Sequence, residues 1–330
     1  MPRIGMNPAR GRETAYKPAR VTLAVLTYLP EETGYFQHRF DVTRLCIESL
    51  IANTSQPYDL LVFDNGSAPQ LVDYLREMNS AGKINYLMLS ERNIGKIGAL
   101  QMIFKAAPGE LIAYTDDDVF FLPGWLEEHL KILETYPDVG LVTGFYIRAH
   151  VAYAMQSLEK FMAGNEVEIE RGLLLEEQWI RHFNENMGRS RAQYDEETAG
   201  LEDIALKYRD IATFASAGHH QFLAPKQVLV DALPTAWQGK LMGKMRELEE
   251  DIDKLGFMRL STREPVTRLL GNVISPEMAE EARKYGFDIS GVEQKRKSAL
   301  RQRIYDMKLT QKIAWRLYNL SYDAITSKKS

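Results

Sequence analysis

The chain has 330 residues, of which 45% are hydrophobic, so it is long enough to bury the core of one large domain or two small ones. Its single cysteine, Cys46, excludes a disulfide framework and argues against a zinc site built on cysteines. No apolar run approaches the roughly 18 to 20 residues that span a bilayer, and no apolar signal core follows the basic N-terminus. We therefore expect a globular, enzyme-sized protein of the cytoplasm.

The formal net charge of -4 is distributed unevenly along the chain. Residues 1–20 carry five Lys or Arg against Glu13, and residues 291–330 carry ten against three acids, so the body between them is strongly acidic. An acidic body argues against binding of nucleic acid by the main domain. The basic ends have two interpretations, contact with a phosphate-rich or lipid surface, or simple solvation.

Residues 1–20 are rich in Pro, Gly and Arg and are predicted to form a basic N-terminal arm. Regular secondary structure is predicted to begin after this arm. A continuous β-prone run over 21–26, which ends at Thr27-Tyr28, is typical of a strand buried on both faces of a parallel sheet. We expect Asp41 to cap the helix that follows. The remaining pattern predicts strands at 58–63, 84–89, 111–115 and 139–147, and helices at 71–78, at 95–107 and from Trp125.

This alternation predicts the α/β class, with a doubly wound, mostly parallel sheet and flanking helices. Ligands of such sheets collect at the carboxyl ends of the strands. The acidic segment 151–210 is predicted to be a helical insertion or lid, and further sheet elements are expected over 211–290. Residues 291–330 are predicted to form a basic amphipathic helical tail.

Three consecutive carboxylates, Asp116, Asp117 and Asp118, follow the predicted strand 111–115. They cannot all ionise at low cost without a cation nearby, and Mg²⁺ or Mn²⁺ take carboxylate oxygens as ligands. A metal site is one interpretation. A solvated acidic turn before the helix at Pro123 is the other, and the spacing alone favours neither.

Two glycine-containing segments follow the preceding strands. In Asp64-Asn65-Gly66-Ser67 the Asp64 carboxylate can accept hydrogen bonds from a base or a ribose, although Asx-Gly turns are common without a ligand. The segment from Asn93 to Ala99 begins a helix, where its glycines leave room for a ligand and Lys96 can face phosphate or sugar. Ordinary packing of the helix on the sheet would produce the same pattern.

A fourth polar group, the acidic run 249–253, precedes Gly256. Glu250 and Asp251 in this run could supply the general base that deprotonates an acceptor hydroxyl. A solvated helical face is the alternative for a charge run of this kind.

Together and in this order, the four segments resemble the family 2 glycosyltransferases of the GT-A fold. The resemblance extends from Val21 to about Gly144, and more loosely from Phe214 to Asn272. Asp116 and Asp118 are similar to the family's Asp-x-Asp motif, and Glu250-Asp251 is similar to its Glu-Asp pair. The resemblance implies a catalytic domain over 21–290. Within it, 21–150 would be the nucleotide-sugar-binding half, 151–210 the insertion and 211–290 the acceptor-side half.

The resemblance also implies roles for particular residues. Asp116 and Asp118 would hold Mn²⁺ or Mg²⁺, Asp251 beside Glu250 would act as the base, and the His219-His220 pair would lie on the acceptor side. The implied donor-binding residues are Thr27, Tyr28, Asp64, Asn93, Lys96, Asp116, Asp117 and Arg268. The implied reaction is inverting transfer of a sugar from a UDP- or GDP-sugar to a hydroxyl, in the synthesis of a cell-surface polysaccharide or a glycolipid.

One position departs from the family pattern. Many members place a metal- or diphosphate-binding histidine before a Gly-Asn pair, where this chain has Leu269 before Gly271-Asn272. Arg268 could bind the diphosphate instead, or His219 or His220 could approach the metal. Packing or acceptor contact is the alternative for the two histidines.

This interpretation predicts a nucleotide-sugar donor and a saccharide or lipid-linked acceptor as partners. It predicts no binding of nucleic acid. The tail 291–330 has three interpretations, as a peripheral contact with the inner face of a membrane, as packing on the protein's own body, or as a contact in a homo-oligomer. Two other functions remain open. One is a sugar nucleotidyltransferase, but that class normally has a Gly-rich loop where this chain has Thr27-Tyr28, which counts against it. The other is a catalytically silent module that binds nucleotide-sugars or glycans, and Leu269 is the feature that favours it.

Overall fold

The computed structural model describes residues 5–7, 9–234, 236, 239–243 and 245–289. The predicted helical tail, residues 291–330, lies outside this described part of the chain.

A ten-stranded sheet forms the centre of the molecule, and a two-stranded sheet lies beside it. The strand order in the large sheet is β3-β2-β1-β4-β10-β6-β11-β9-β8-β7, and the small sheet pairs β12 with β5. The strands are β1 (Val21–Thr27), β2 (Tyr58–Asp64), β3 (Tyr86–Leu89), β4 (Leu111–Asp116), β5 (Val119–Phe121), β6 (Val139–Thr143), β7 (Glu168–Gly172), β8 (Asp203–Tyr208), β9 (Ile211–Ala215), β10 (Gln221–Pro225), β11 (Met258–Thr262) and β12 (Thr267–Leu269).

The helices lie between these strands in the order that the sequence pattern predicts for the first half of the chain. They are α1 (Arg39–Ala52), α2 (Pro69–Ser80), α3 (Lys96–Ala106), α4 (Trp125–Thr135), α5 (Gln156–Gly164), α6 (Glu177–Asn186), α7 (Arg191–Glu197), α8 (Lys226–Ala232), α9 (Met245–Lys254) and α10 (Pro276–Lys284). Short 3₁₀ helices lie at Gly34–Phe36 and Arg148–Ala152.

The direction of the strands creates a switch point between β1 and β4. The chain first builds β1, β2 and β3 outward as parallel neighbours, and then returns to place β4 on the other side of β1, again parallel. In the whole sheet only β7, β9 and β10 run against the remaining strands. The crevice of an open α/β sheet forms at such a switch point, outside the carboxyl ends of the strands.

Both faces of the sheet are covered, because alternate residues of β1 belong to two different apolar clusters. Leu23 and Val25 pack in the cluster that contains helices α1, α2 and α4. Ala24 and Leu26 pack in the cluster that contains α3, α8 and α9. A strand with both faces buried needs apolar residues at every position, which explains the unbroken run that predicted it. The predicted α/β, doubly wound class is confirmed.

The small sheet brings a distant segment to the end of β4. The chain leaves β4 through Asp117-Asp118 and enters β5, which pairs antiparallel with β12. The Leu270 amide then donates to the Asp118 carbonyl at 2.8 Å. Residues 270–272 therefore lie next to the carboxylate cluster.

Three local predictions need correction. Helix α1 begins at Arg39, so Asp41 lies in its first turn and does not cap it. Strand β6 ends at Thr143, earlier than predicted. The insertion 151–210 is only partly helical, since it also contains β7 and β8, which extend the sheet.

The missed strand β8 is tied to the body by a buried ion pair. Arg148 donates from Nε and Nη2 to the two oxygens of Asp203, each at 2.7 Å, and the Leu174 and Leu175 amides donate to the same carboxylate. A two-point contact of this kind fixes orientation as well as distance.

The N-terminal arm, as far as it is described, contains neither helix nor strand. It touches the body at its end, where the Tyr16 hydroxyl and the Ala19 amide both donate to Asp59 Oδ2, at 3.0 and 2.8 Å. Among the described helices, none is both long enough and apolar enough to cross a membrane.

His129 of α4 is fully buried and hydrogen-bonded at both ring nitrogens. Its Nδ1 lies 2.6 Å from the Trp125 carbonyl, which only an N–H can satisfy, and its Nε2 lies 3.1 Å from Gln221 Nε2. Burial lowers the pKa of His129 from 6.5 to about 4. The folded protein therefore holds this ring neutral.

We expect acid to destabilise the fold through His129 before its carboxylates titrate. The unfolded chain binds the proton near pH 6.5 and the folded chain only near pH 4, so stability is lost as the pH falls through this window. The pKa difference corresponds to on the order of 3 kcal/mol. Urea unfolding at about pH 7 and about pH 4 measures the loss, which should be smaller in His129→Gln. Equal losses in the two proteins would contradict the assignment.

Candidate active site

The carboxylate cluster Asp116–Asp118 lies at the switch point, where β4 ends beside β1. The register of β4 against β10 places the His220 carbonyl opposite the Asp116 amide, and the two form a hydrogen bond of 2.8 Å. The Tyr28 amide, just beyond β1, reaches Asp117 Oδ2 at 3.4 Å. The fold therefore brings Thr27-Tyr28, at the end of β1, beside the carboxylate cluster.

Asp116 binds a cation and a phenol. Lys96, the first residue of α3, places Nζ 2.7 Å from Asp116 Oδ2, and the Tyr114 hydroxyl donates to Oδ1 at 2.6 Å. Burial works against ionisation of Asp116, but the attraction and hydrogen bond of Lys96 lower its pKa. Lys96 was predicted from its place at the start of a helix, and it does reach the cluster.

Asp117 is turned into the protein. Its carboxylate accepts from the Thr43 hydroxyl at 2.9 Å and forms an ion pair with Arg39 Nη2. Only 4% of the residue is exposed, so it is the least accessible of the three carboxylates. These contacts anchor helix α1 to the end of β4.

Arg39 connects the cluster to the segment that follows β12. Its Nη1 lies 3.0 Å from Asp118 Oδ2, 3.0 Å from the Gly271 carbonyl and 3.3 Å from Asn272 Oδ1. Sequence reasoning missed this residue. Its signal was present, because a cation in the first turn of a helix is opposed by the helix dipole and so suggests an anionic neighbour.

The charge of the cluster is not fully balanced by these partners. Burial, together with repulsion from Asp116 and Asp117, raises the pKa of Asp118 in spite of Arg39. A hard divalent cation would relieve this repulsion, and magnesium in phosphate-binding sites is often held by only one or two carboxylates plus the phosphates. Asp116 and Asp118 fit that role by their chemistry. Within the described residues no group of three or more acidic, histidine or cysteine side chains could hold a metal without such help.

The second and third motifs form one hydrogen-bonded unit beside the cluster. The Asn65 amide group donates to Asn93 Oδ1 at 3.0 Å and accepts from the Ile94 amide at 2.9 Å. Gly66 has φ +86°, and a Cβ there would press into the backbone of Arg92 and Asn93. The turn needs glycine because the two loops approach so closely.

Asp64 is committed to the structure of its own turn. It is 1% exposed, and its carboxylate accepts from the Thr27 hydroxyl at 3.0 Å and from the Gly66 and Ser67 amides at 3.2 and 3.0 Å. Thr27 is fully buried in this contact. The hydrogen bonds of Asp64 and Thr27 stabilise the turn after β2. Their predicted contacts with the donor remain predictions.

The start of α3 is covered by residues 239–243. The Lys96 amide donates to the Leu241 carbonyl at 2.7 Å. Gly95, with φ +78°, faces the Lys240 carbonyl oxygen, and a Cβ would collide with it. Leu241 and Met242 themselves remain exposed.

The acidic run of α9 divides between the two sides of the helix. Glu250 pairs with Arg246 and Asp251 with Lys254, each at 2.7 Å, on partly exposed positions of the same helix. No described contact joins Asp251 to the carboxylate cluster. Glu249 and Asp253 are the buried members of the run. Asp253 accepts from the Gln156 and Ser157 amides, whereas Glu249 binds His219 and Arg259, and sequence reasoning passed over Glu249 as part of a charge run.

The substitution at Leu269 has a structural explanation. Leu269 packs in the core, and its amide donates to Nε2 of His182, from α6, at 3.1 Å. Burial lowers the pKa of His182 to about 4. Arg268 Nη2 lies 3.2 Å from Glu281 Oε1, and the guanidinium carbon lies 4.3 Å from the centre of the Trp179 ring. Its predicted contact with a diphosphate remains a prediction.

A cavity of about 760 Å³ opens beside Asp118. Its lining includes Tyr35, Met187, Asn272 and Val273, so it combines apolar and polar surface next to a carboxylate. Ligand-binding clefts have volumes of this order.

The fold and site thus define a doubly wound α/β protein whose acidic cluster lies at the strand ends where such sheets bind ligands. Residues 36–193 match Glycosyl transferase family 2. This match confirms the resemblance to that family that the order of the motifs predicts.

Similarity to individual proteins is local. The chain is 33% identical over 97 residues to the uncharacterized glycosyltransferase YwdF of Bacillus subtilis, and 26% identical over 96 residues to the uncharacterized glycosyltransferase alr2836 of Nostoc sp.. These matches cover 28% and 29% of this chain, and 35% and 30% of the relatives. A solved mannosyltransferase of Pyrobaculum calidifontis, in complex with GDP-Man and Mn²⁺, is 25% identical with a TM-score of 0.31 over 40% of this chain and 37% of that one.

Arg39→Ala should destabilise the protein strongly, because it leaves Asp117 and Asp118 without their cation. Removing one partner of a buried ion pair typically costs about 3 to 5 kcal/mol. Arg44→Ala, on the same helix, is the matched control, because the ion pairs of Arg44 within the described residues are with partly exposed Asp41 and Glu48. It should cost less than about 1 kcal/mol. Chemical denaturation measures both variants, and equal losses would argue against a central role for Arg39.

Gly95→Ala should cost more stability than Gly82→Ala. Both glycines have positive φ, +78° and +73°, so alanine is strained at either position, and ψ of 157° places Gly95 in a region that is essentially restricted to glycine. Only at Gly95 does the new Cβ meet another segment, the backbone of Lys240. The additional loss should be about 1 to 3 kcal/mol, as for overpacked sites. Equal urea midpoints would show that residues 239–243 move aside freely.

Proposed function

We propose that this chain is an inverting, metal-dependent glycosyltransferase. It transfers a sugar from a UDP- or GDP-sugar to a hydroxyl acceptor, in the synthesis of a polysaccharide or a glycolipid. The observation that carries the proposal is the pair Asp116 and Asp118, held beside Lys96 and Arg39 at the switch point of a family 2 domain. The proposal includes the division into an arm (1–20), a catalytic domain (21–290) and a tail (291–330).

The diphosphate of the donor would lie against the cluster. Asp116 and Asp118 would hold Mn²⁺ or Mg²⁺, which supplies charge stabilisation for the leaving diphosphate. Lys96 already lies at 2.7 Å from Asp116 and begins a helix, so its ammonium group is placed to bind a phosphate oxygen. The linked turns of Asn65 and Asn93 border this place and would contact the nucleoside.

The chemistry then requires an acceptor oxygen on the opposite side of the sugar. That oxygen forms a bond to the anomeric carbon while the bond from this carbon to the phosphate oxygen breaks, which inverts the configuration. The acceptor must also lose a proton to a base. The His220 carbonyl binds the Asp116 amide on the side of β10, and α9 reaches the neighbouring His219 through Glu249, which supports 211–290 as the acceptor side.

A silent module that binds nucleotide-sugars is the second candidate, because Leu269 is buried where the family pattern implies a ligating histidine. Turnover decides between the two. A panel of UDP-, GDP- and dTDP-sugars with Mn²⁺ should give release of the nucleoside diphosphate if the chain is a transferase. Binding without turnover of any donor would favour the module.

Asp118→Asn should remove metal-dependent binding of nucleotide. A ligand at about a hundred times its Kd adds about 2.7 kcal/mol of stability, and the variant should lose most of this gain with UDP or GDP and Mn²⁺. Asp73→Asn is the control, because Asp73 is an exposed residue of α2 whose ion pair, in the part of the chain that the structure describes, is with Arg76. Thermal unfolding with and without Mn²⁺ is the measurement. Full stabilisation of Asp118→Asn, or stabilisation that ignores Mn²⁺, would contradict the metal assignment.

A further inference from the structure

His219 and Glu249 form a carboxylate–imidazole pair beside the cluster. Nδ1 of His219 lies 2.6 Å from Glu249 Oε1. A carboxylate at this distance accepts the Nδ1 proton, so Nε2 is the ring nitrogen that faces away from Glu249. Nε2 has no hydrogen-bond partner in the described part of the chain, and the side chain is 32% exposed.

Glu249 is held rigidly in place. It is 0% exposed, and its second oxygen accepts from Arg259 Nη1 at 3.1 Å and from the Tyr153 hydroxyl. The hydrogen bond from His219, with the nearby positive charge, lowers the pKa of Glu249 to about 2 although burial opposes this. The carboxylate is therefore ionised and its direction is set by buried neighbours.

The ring of His219 also lies within electrostatic reach of Asp116. Its other neighbours are His150, whose ring lies parallel at 6.4 Å, and His220. Burial lowers the pKa of His150 to about 4 and that of His220 to about 3, so both are neutral at ordinary pH. His219 is thus the histidine of this group whose ring combines an anchored nitrogen with an open one.

We propose that His219 is the catalytic base of the transfer and that Glu249 is its positioning residue. This inference rests on the proposed function and replaces Asp251 in that role. Nε2 takes the proton of the acceptor hydroxyl as the acceptor oxygen bonds to the anomeric carbon. The nucleoside diphosphate leaves with the electron pair of the broken bond. The imidazolium so formed keeps its Nδ1–H bond to Glu249 and then returns its proton to water.

Donor turnover with water as acceptor tests this step. The release of UDP or GDP is followed for the wild type, His219→Ala, His219→Gln and Asp251→Asn, with the donor that gives turnover in the panel. Removal of a base typically lowers rates by 10² to 10⁴. We expect kcat to fall about 100-fold or more in both His219 variants, with KM for the donor within about twofold. His219→Gln keeps a donor for Glu249, so it guards against a loss of folding.

Chemical rescue separates the base from a structural role. Added imidazole should restore turnover to His219→Ala, and should not restore it to Lys96→Ala, which lacks a different group of the site. Turnover of His219→Ala within about twofold of the wild type would overturn the inference. A loss in Asp251→Asn alone would return the role to Asp251.

The position of the ring proton provides a test without turnover. Nitrogen NMR of the wild-type protein should show a proton on Nδ1 of His219, the nitrogen that faces Glu249. A proton on Nε2 would overturn the inference whatever the kinetics. The proposed function fails if the wild type neither is stabilised by any nucleotide-sugar nor turns one over. The inference fails alone if the wild type turns over a donor and His219→Ala does so at the same rate.

Discussion

The ion pairs of Arg39 and Lys96 with the carboxylates at the end of β4 are the interaction on which the rest of the site depends. Three adjacent carboxylates at a partly buried strand end repel one another, and each is more costly to ionise than in water. Arg39 forms ion pairs with Asp117 and Asp118, and Lys96 forms one with Asp116. Without these cations the turn between β4 and β5 would have to open toward water or bind protons.

This balance also determines the arrangement of the surrounding chain. Arg39 begins α1 and Lys96 begins α3, so each helix is fixed to the cluster by the residue at its first turn. Arg39 further holds the Gly271 carbonyl, and the small sheet of β5 and β12 brings that carbonyl within reach. A single charged group therefore joins helix α1 and the end of β4 to the segment after β12.

The sequence predicted the parts of the structure whose signals are local. The unbroken apolar run of β1 and the acidic triplet after β4 can each be recognised within a few residues. Strand β8 could not, because its place in the sheet depends on the pairing of Asp203 with Arg148 across the fold. The role of Glu249 was hidden for a related reason. Within α9 its neighbours Glu250 and Asp251 look equivalent to it, and only the helix rotation sets Glu249 against Arg259 and His219.

That rotation bears on which kind of base the site can use. A free carboxylate close to Asp116 and Asp118 would add to their repulsion, and the same repulsion would keep it protonated. An imidazole has the opposite relation to this field, because it becomes positive when it takes a proton, next to the Glu249 carboxylate and within electrostatic reach of Asp116. Charge is then formed where negative groups are already fixed, so little reorganisation is needed during the reaction. The acidic cluster that suits a metal and a diphosphate thereby also favours histidine over aspartate as the group that deprotonates the acceptor.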